Sequence, residues 1–352
     1  MSDTDKVSSS VSVHEPVLLH EVVTGLISPD LKGSRSIWYL DGTLGGAGHA
    51  RAIAKAFSTL VLDEKVISVD SHISLNIIGL DRDPQAIERA KKILSQTTKG
   101  KIILENENFR NIDKVLTKNL IEKIDLILLD LGISSDELDN SGRGFTFQKD
   151  EPLFMTMGDP VKHPFTAKDI VNSWKEEDIA NVIFAYGEDR FARRIARKII
   201  QYRDKKKIET SMELAEIVKS AVPFGGRSLS GKKRIHPATK TFQALRIAVN
   251  DELGSLREGL KNGFDSLTSG GKMAVISFHS LEDRIVKEYF RELAVGEEIT
   301  PKTDFYKKES NYKKKVAVIL TKKPIVASAQ EIAENPRSRS VRILLVCSER
   351  IR

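Results

Sequence analysis

Residues Asp41-Gly42-Thr43-Leu44-Gly45-Gly46-Ala47-Gly48-His49 place four glycines within seven positions, flanked by an acid and an imidazole. Without side chains the backbone can approach a ligand closely, and in doubly wound sheets a loop of this kind, between a first strand and its helix, holds nucleotide-like ligands. A tight structural turn would use glycine as well. The spacing does not follow the G-x-G-x-x-G register that aims a helix N-terminus at a pyrophosphate, so a dinucleotide-dependent oxidoreductase is disfavoured.

An acid at the end of the second strand would accept hydrogen bonds from ribose hydroxyls. Asp70 and Asp81 both qualify. Asp81 is preferred because it follows the apolar run Ile77-Ile78-Gly79-Leu80 and leads into Asp83-Pro84, an N-cap acid before a proline at the first helical position. Asp130 ends another apolar run, where cofactor and substrate meet in this kind of sheet; a positioning or electrostatic role competes there with capping of the Leu131 to Ser135 turn. His279 and Ser280 follow a fifth run and would touch substrate at the same edge, unless His279 is an ordinary hydrogen-bonded histidine.

Strands that position these groups are predicted at 37–41, 77–81, 102–105, 125–130, 272–278, 316–321 and 341–346, each an apolar run, with helical patterns between them. Such alternation implies a mostly parallel α/β sheet. The helix after Pro84 sets Ile87, Ala90 and Leu94 on one face, and Gly270-Gly271 reads as a stop after a helix from Asp251 to Leu267. Residues 58–76 form an excursion with no assigned role.

From about Asp136 to Asn250 the alternation gives way to loops and amphipathic helices, which predicts an inserted helical domain at 136–250 inside a domain made of 14–135 and 251–352. In the insertion, Phe191, Ile195, Ile199 and Tyr202 share one helical face, and Arg190, Arg193, Arg194 and Arg197 the other. That basic stripe suits a phosphate backbone, and Lys205 to Lys207 and Lys232, Lys233 and Arg234 extend it; a solvated helix face is the plain alternative. His236, before Pro237, is a candidate for RNA contact or for turn structure.

A net charge of +7 favours a polyanionic partner, since cations gain affinity by displacing counterions from phosphates. Cys347 is the only cysteine, which excludes an intramolecular disulfide and a multi-cysteine zinc site and fits a reducing cytoplasm. It also argues against deamination, which needs such a zinc site, and against attack on pyrimidine carbon 5 by a cysteine placed near the terminus. None of the seven histidines shows metal-ligand spacing, so no metal is expected. Residues 1–13 read as a polar disordered tail with no apolar stretch able to span a membrane.

Taken in order, His14-Glu15-Pro16-Val17-Leu18-Leu19, the glycine loop ending in His49, Asp81-Arg82-Asp83-Pro84, Asp130-Leu131-Gly132-Ile133-Ser134-Ser135, Arg143-Gly144-Phe145, His236-Pro237-Ala238-Thr239, Ser277 to Asp283 and Asn335-Pro336-Arg337 resemble the bacterial ribosomal RNA cytosine-N(4) methyltransferase family. The resemblance runs from about His14 to Val346. It implies a Rossmann-like class I methyltransferase that uses S-adenosylmethionine to methylate the 4-amino group of a cytidine in the decoding region of small-subunit rRNA, with the rRNA or the small ribosomal subunit as partner. Carried over by position, Gly45, Ala47, Gly48 and His49 would lie at the methionine end, Asp81 at the ribose, Phe109 near the adenine, and Asp130 and Glu137 along the remaining cofactor surface. The family usually has Gln where this chain has Glu137, and Asp and Arg where it has Phe154 and Thr156.

Methyl transfer from a sulfonium is mainly a problem of alignment, and acceptors on the amine's N–H groups would expose its lone pair. Two other functions fit part of the pattern. A DNA amino-methyltransferase would usually carry Pro-Pro-aromatic where Leu131-Gly132-Ile133 stands. A non-catalytic RNA-binding assembly factor of the same fold is suggested by Phe154 and Thr156.

Overall fold

Apolar residues in the central strands alternate strictly between two cores, which is what a sheet covered on both faces requires. The computed structural model describes residues 16–27, 36–62, 74–98, 100–222, 236–295, 298–299, 311–312 and 315–349. The tail read at 1–13, the His14-Glu15 pair, Asp70, and Lys232, Lys233 and Arg234 lie outside those residues. Strands β1 (Ser36–Asp41), β2 (Ser74–Asp81), β3 (Ile102–Asn106), β4 (Ile124–Asp130) and β5 (Leu267–Ser277) are parallel. The ribbon β6 (Glu298–Ile299) and β7 (Asn311–Tyr312) stands apart, β8 (Ala317–Ile319) and β9 (Ile325–Val326) are short, and β10 (Arg342–Ser348) runs antiparallel beside β5. The order is β3-β2-β1-β4-β5-β10-β8, with β9 also on β10.

Tyr39, Ile77, Leu126, Leu128, Ile276 and Leu345 face one core, shared with helices α1 (Leu19–Leu26), α2 (Gly48–Leu62) and α3 (Pro84–Leu94). Their neighbours in sequence, Leu40, Ile78, Ile127, Leu129, Val275 and Leu344, face the other, against α4 (Ile112–Lys118). At the start of α3, Asp83 accepts from the Gln85 N–H and Pro84 takes the first turn, as read from the sequence.

A third core is built from one continuous stretch of chain between Phe145 and Val249. Short α5 (Ser135–Asn140) leads into it, and α6 (Ala167–Ser173), α7 (Glu176–Gly187), α8 (Ala192–Arg203), α9 (Ser211–Ala221) and α10 (Ala238–Asn250) form it. Asp251, in the left-handed region at φ 47°, turns α10 into α11 (Glu252–Asp265), which packs back on the sheet. Asn250, buried at this joint, donates to the Met155 carbonyl and accepts from the Met157 N–H. Helices α12 (Ser280–Val295) and α13 (Ala329–Glu334) follow β5.

The sequence places a helix stop at Gly270-Gly271 and a strand from Lys272, whereas α11 ends at Asp265 and β5 already begins at Leu267. Pairing jumps from Ile124–Leu267 to Leu126–Lys272, so the residues between bulge out of register. Gly270, at φ 86°, sits in that bulge, where glycine serves a strand irregularity and not a helix cap.

Candidate active site

The carboxyl ends of β1, β2 and β4 bring Asp41, Asp81 and Asp130 to one edge of the sheet. The glycine loop leaving β1 is laced to its neighbours: the Gly42 N–H donates to the Leu128 carbonyl, the Leu44 N–H to that of Leu80, and the Gly45 N–H to Asp81 Oδ2 at 2.8 Å. Gly45 (φ 49°) and Ala47 (φ 57°) are both left-handed, a conformation that costs a residue with a Cβ about 1–2 kcal/mol and so marks a turn held by its surroundings. A Cβ at Gly46 would meet nothing within 4 Å, so the loop opens onto free space; one at Gly48 would lie 2.4 Å from Pro16 Cγ.

Four acids surround this opening. Asp41 is buried, accepts from the Tyr39 hydroxyl and the Thr43 N–H, and is pushed up to about 6 by burial. Asp81 accepts from the backbone of Gly45 and Asp83; burial lifts it to about 6 against those two bonds. Glu137 is raised to about 7 by burial and by Asp81, with Arg143 at 3.3 Å pulling the other way. Its carboxylate and N–H close a capping box with Ser134 at the start of α5.

Asp130 is raised well above the usual carboxylate range, first by burial and then by the charges of Asp41 and Glu282. Its N–H donates to Thr43 Oγ1 at 2.7 Å, yet its Oδ1 is buried without a hydrogen-bond partner. Carboxylates crowded with so little countercharge would be neutralised most directly by a cationic ligand in the space between them.

His49 does not point both ring nitrogens into the opening. Its Nε2 is 2.9 Å from the Val17 carbonyl and its Nδ1 is 3.6 Å from Asp130 Oδ2. Phe109, in a 3-10 turn (Phe109–Asn111), is wedged between the glycine loop and α11: a Cβ added at Gly259 would lie 2.3 Å from its ring, and one at Gly42 would lie 3.1 Å from its Cβ.

Ser280, read as touching substrate, instead donates to Glu188 Oε2 at 2.6 Å, and Arg284 pairs with the same carboxylate at 3.0 Å. These bonds clamp α12 to the left-handed end of α7. His279 Nε2 lies 3.2 Å from Glu282 Oε1. Burial pushes Glu282 up, but His279, the Phe278 N–H and Arg246 outweigh it and hold it low. The sequence shows no metal-ligand spacing among the histidines, but the fold brings ligand atoms of Glu252, His279 and Glu282 within 4.8 Å of one another. Glu252 comes from a distant helix, so no local pattern reveals the cluster. Arg246 binds both Glu252 oxygens, and Glu282 Oε2 takes the Phe278 N–H, so both acids already have partners in the chain.

In the insertion, Arg190, Arg193, Arg194 and Arg197 are exposed; Arg190 stacks over the Phe191 ring, and Arg197 lies 3.6 Å from Glu176. Arg194, Arg197 and Lys198 line one wall of a groove of about 310 Å³, closed by Ser220 and Ala221 of α9. His236 stacks on Phe147 with centroids 4.6 Å apart and accepts from the Ala238 N–H, so its ring is used in starting α10. Phe154 is half-buried, and Thr156 is buried with its hydroxyl directed to the Gly158 carbonyl.

Sequence reasoning did not single out Asp41, Thr43, Arg82 or Glu188. Asp41 carried the same signal as Asp81 and Asp130, an acid ending an apolar run. Thr43 and Glu188 gave none, because their partners Asp130 and Ser280 are remote in sequence. Arg82 donates to the Asn250 carbonyl and so ties the end of β2 to the helical joint.

The model of the MraW methylase family matches residues 11–349. A ribosomal RNA small subunit methyltransferase H of Acetivibrio thermocellus is 45% identical over 332 residues, covering 94% of this chain and 97% of its own. Its namesake in Heliobacterium modesticaldum is 42% identical over 340 residues, covering 96% and 99%. Among solved structures, an rRNA methylase from Streptococcus thermophilus aligns with 94% of this chain and 92% of its own at 9% identity and a TM-score of 0.36. With matched motifs spread over nearly its whole length, the chain belongs to the MraW methylase family.

Proposed function

We propose that this protein transfers the methyl group of S-adenosylmethionine to the 4-amino group of a cytidine in the decoding region of small-subunit rRNA. The observation that carries the reading is the glycine loop, opening onto free space and ringed by Asp41, Asp81, Asp130 and Glu137, at the carboxyl edge of a doubly wound sheet. Ligands of this fold class bind at that edge. Relatives named as small-subunit rRNA methyltransferases support the substrate class.

The residues suit the cofactor. Asp81 would take the ribose hydroxyls, Gly45, Ala47 and Gly48 would give a backbone path for the methionine end, and Phe109 and Glu137 would flank the rest. When bound, the sulfonium supplies an electrophilic methyl. Asp130, half-buried at the carboxyl end of β4, would hold the amine and its departing proton. The domain of 136–250 would grip RNA through Arg190, Arg193, Arg194 and Arg197, with Lys233, Arg234 and His236 as further candidates, while 14–135 and 251–352 carry the cofactor. A stacked or paired cytidine conceals its amine, so the base would be turned outward. Among the described residues no helix is long and apolar enough to cross a membrane.

Mass analysis of rRNA nucleosides from cells with and without the protein tests this directly. Loss of N(4)-methylated cytidine, restored by wild type but not by Asp81→Ala, is the expected result. Unchanged nucleosides, or purified protein that takes up no S-adenosylmethionine, would overturn it.

A further inference from the structure

Parallel pairing between β1 and β4 stops at Asp41 opposite Leu128, where the Gly42 N–H donates to the Leu128 carbonyl. One more rung of that ladder would bring the Gly42 carbonyl to the Asp130 N–H. The chain turns away instead: the Leu44 N–H goes to the Leu80 carbonyl of β2, and the Gly45 N–H to Asp81 Oδ2. The crevice of the sheet opens where the two strands part, and there the Asp130 N–H donates to Thr43 Oγ1 at 2.7 Å. Thr43 is itself pinned, because its N–H donates to Asp41 Oδ1 at 3.2 Å while the buried Tyr39 hydroxyl donates to Asp41 Oδ2 at 3.1 Å. On the other side of β4, the Leu131 N–H donates to the Ile276 carbonyl of β5. The backbone around Asp130 is thus tied to both neighbours, to β5 by a main-chain bond and to the end of β1 by one hydroxyl.

We propose that Thr43 is a positioning residue for methyl transfer: its hydroxyl replaces the missing rung of the ladder and sets Asp130 against the cofactor loop. This rests on the function proposed above, in which Asp130 meets the amine. The β-branched side chain has few χ1 rotamers, so the oxygen is presented at one place. Without that oxygen a main-chain N–H at the mouth of the crevice loses its acceptor, and beyond Leu128 the main chain of β4 is tied to β5 alone. A shift of about 1 Å in a group that aligns reactants costs on the order of 100-fold in rate. Cofactor binding depends less on this bond, since Asp81 holds the Gly45 N–H directly and Leu80 holds that of Leu44. The rate of methyl transfer therefore follows the Thr43 oxygen, and cofactor affinity does not.

Two substitutions divide the side chain. Thr43→Val keeps the branched shape and loses the oxygen, whereas Thr43→Ser keeps the oxygen and loses the methyl group. In single turnover on small ribosomal subunits at saturating cofactor, Thr43→Val is expected to be slower by roughly 10- to 100-fold and Thr43→Ser to stay within about threefold of wild type. Titration should give both variants the S-adenosylmethionine affinity of wild type. In ¹⁵N-labelled protein without cofactor, the Asp130 amide should be protected from hydrogen exchange in wild type and Thr43→Ser, and exchange at least about tenfold faster in Thr43→Val. An Asp130 amide that exchanges freely in wild type, Thr43→Val as fast as wild type, or Thr43→Ser as slow as Thr43→Val would overturn the proposal. If Thr43→Val does not fold, wild-type exchange and the Thr43→Ser rate still decide. Wild type that methylates no RNA would remove the functional reading and the role with it, while exchange at Asp130 would still report the bond.

Discussion

An acid that keeps a buried, unbonded oxygen is retained at a cost, and Asp130 shows what it does to the protein. Asparagine there would remove the buried carboxyl. Asp130→Asn is therefore expected to raise the melting temperature of the cofactor-free protein at pH 8, by about 1–2 °C for each kcal/mol gained in a chain of this size. Methylation should fall at least about 100-fold. Calorimetry beside an activity assay checks both, and a variant that is active or less stable would count against it. Burial raises Asp41 and Asp81 to about 6 and Glu137 to about 7. Because their folded values exceed the unfolded ones, the folded chain binds more protons in that window, and the stability they contribute is present at acid pH and lost as pH rises through 6 to 7. Saturating S-adenosylmethionine should thus add more to the melting temperature at pH 8 than at pH 5.5; equal increments would refute the linkage. Asp81 and Asp130 were legible because each ends an apolar run; Asp41 carried the same signal without being singled out, and Glu137 entered through the resemblance alone. The placing of the His49 ring was not legible, since its neighbours Val17 and Asp130 come from other elements.

Helix α8 joins two jobs through its period: Ile195, Ala196 and Ile199 are buried, and Arg193, Arg194 and Arg197 are exposed on the opposite side. The faces should separate by mutation. Arg193→Glu with Arg194→Glu is expected to weaken RNA binding roughly tenfold or more and to flatten its salt dependence by about two charges, with S-adenosylmethionine affinity unchanged in titration. Ile195→Ala should instead cost about 2–5 kcal/mol in urea unfolding. A charge-reversal variant with wild-type RNA affinity would leave the stripe as a solvated surface. The amphipathic period made this helix readable from sequence. The bulge of β5 was not, because Gly270-Gly271 after a helical run signals a cap equally well, and only the pairing with β4 decides.

At the scale of the whole chain, the fold divides by how far its contacts reach along the sequence. The core between Phe145 and Val249 draws on one unbroken stretch, whereas the two sheet cores join residues from Val17 to Val346. The change from strand runs to helical runs near Asp136 was visible in the sequence, but the joint at Asp251, with Asn250 bonded to Met155 and Met157, was not, since no local pattern records those partners. Protease applied in moderate urea is expected to leave a fragment close to 140–250 after the sheet has been digested, with mass spectrometry identifying it; simultaneous loss of both would show a single cooperative unit. Strand β10 lies between β5 and β8, so the last of the described strands completes the interior of the sheet. Until it emerges, β5 presents an open edge to the crowded surroundings of the translating ribosome, while the helical part between Phe145 and Val249 has all of its core residues. The nascent chain is thus expected to fold its helical part before its sheet, and a ribosome-stalled chain ending before Val341 should hold that folded helical part and no cofactor pocket.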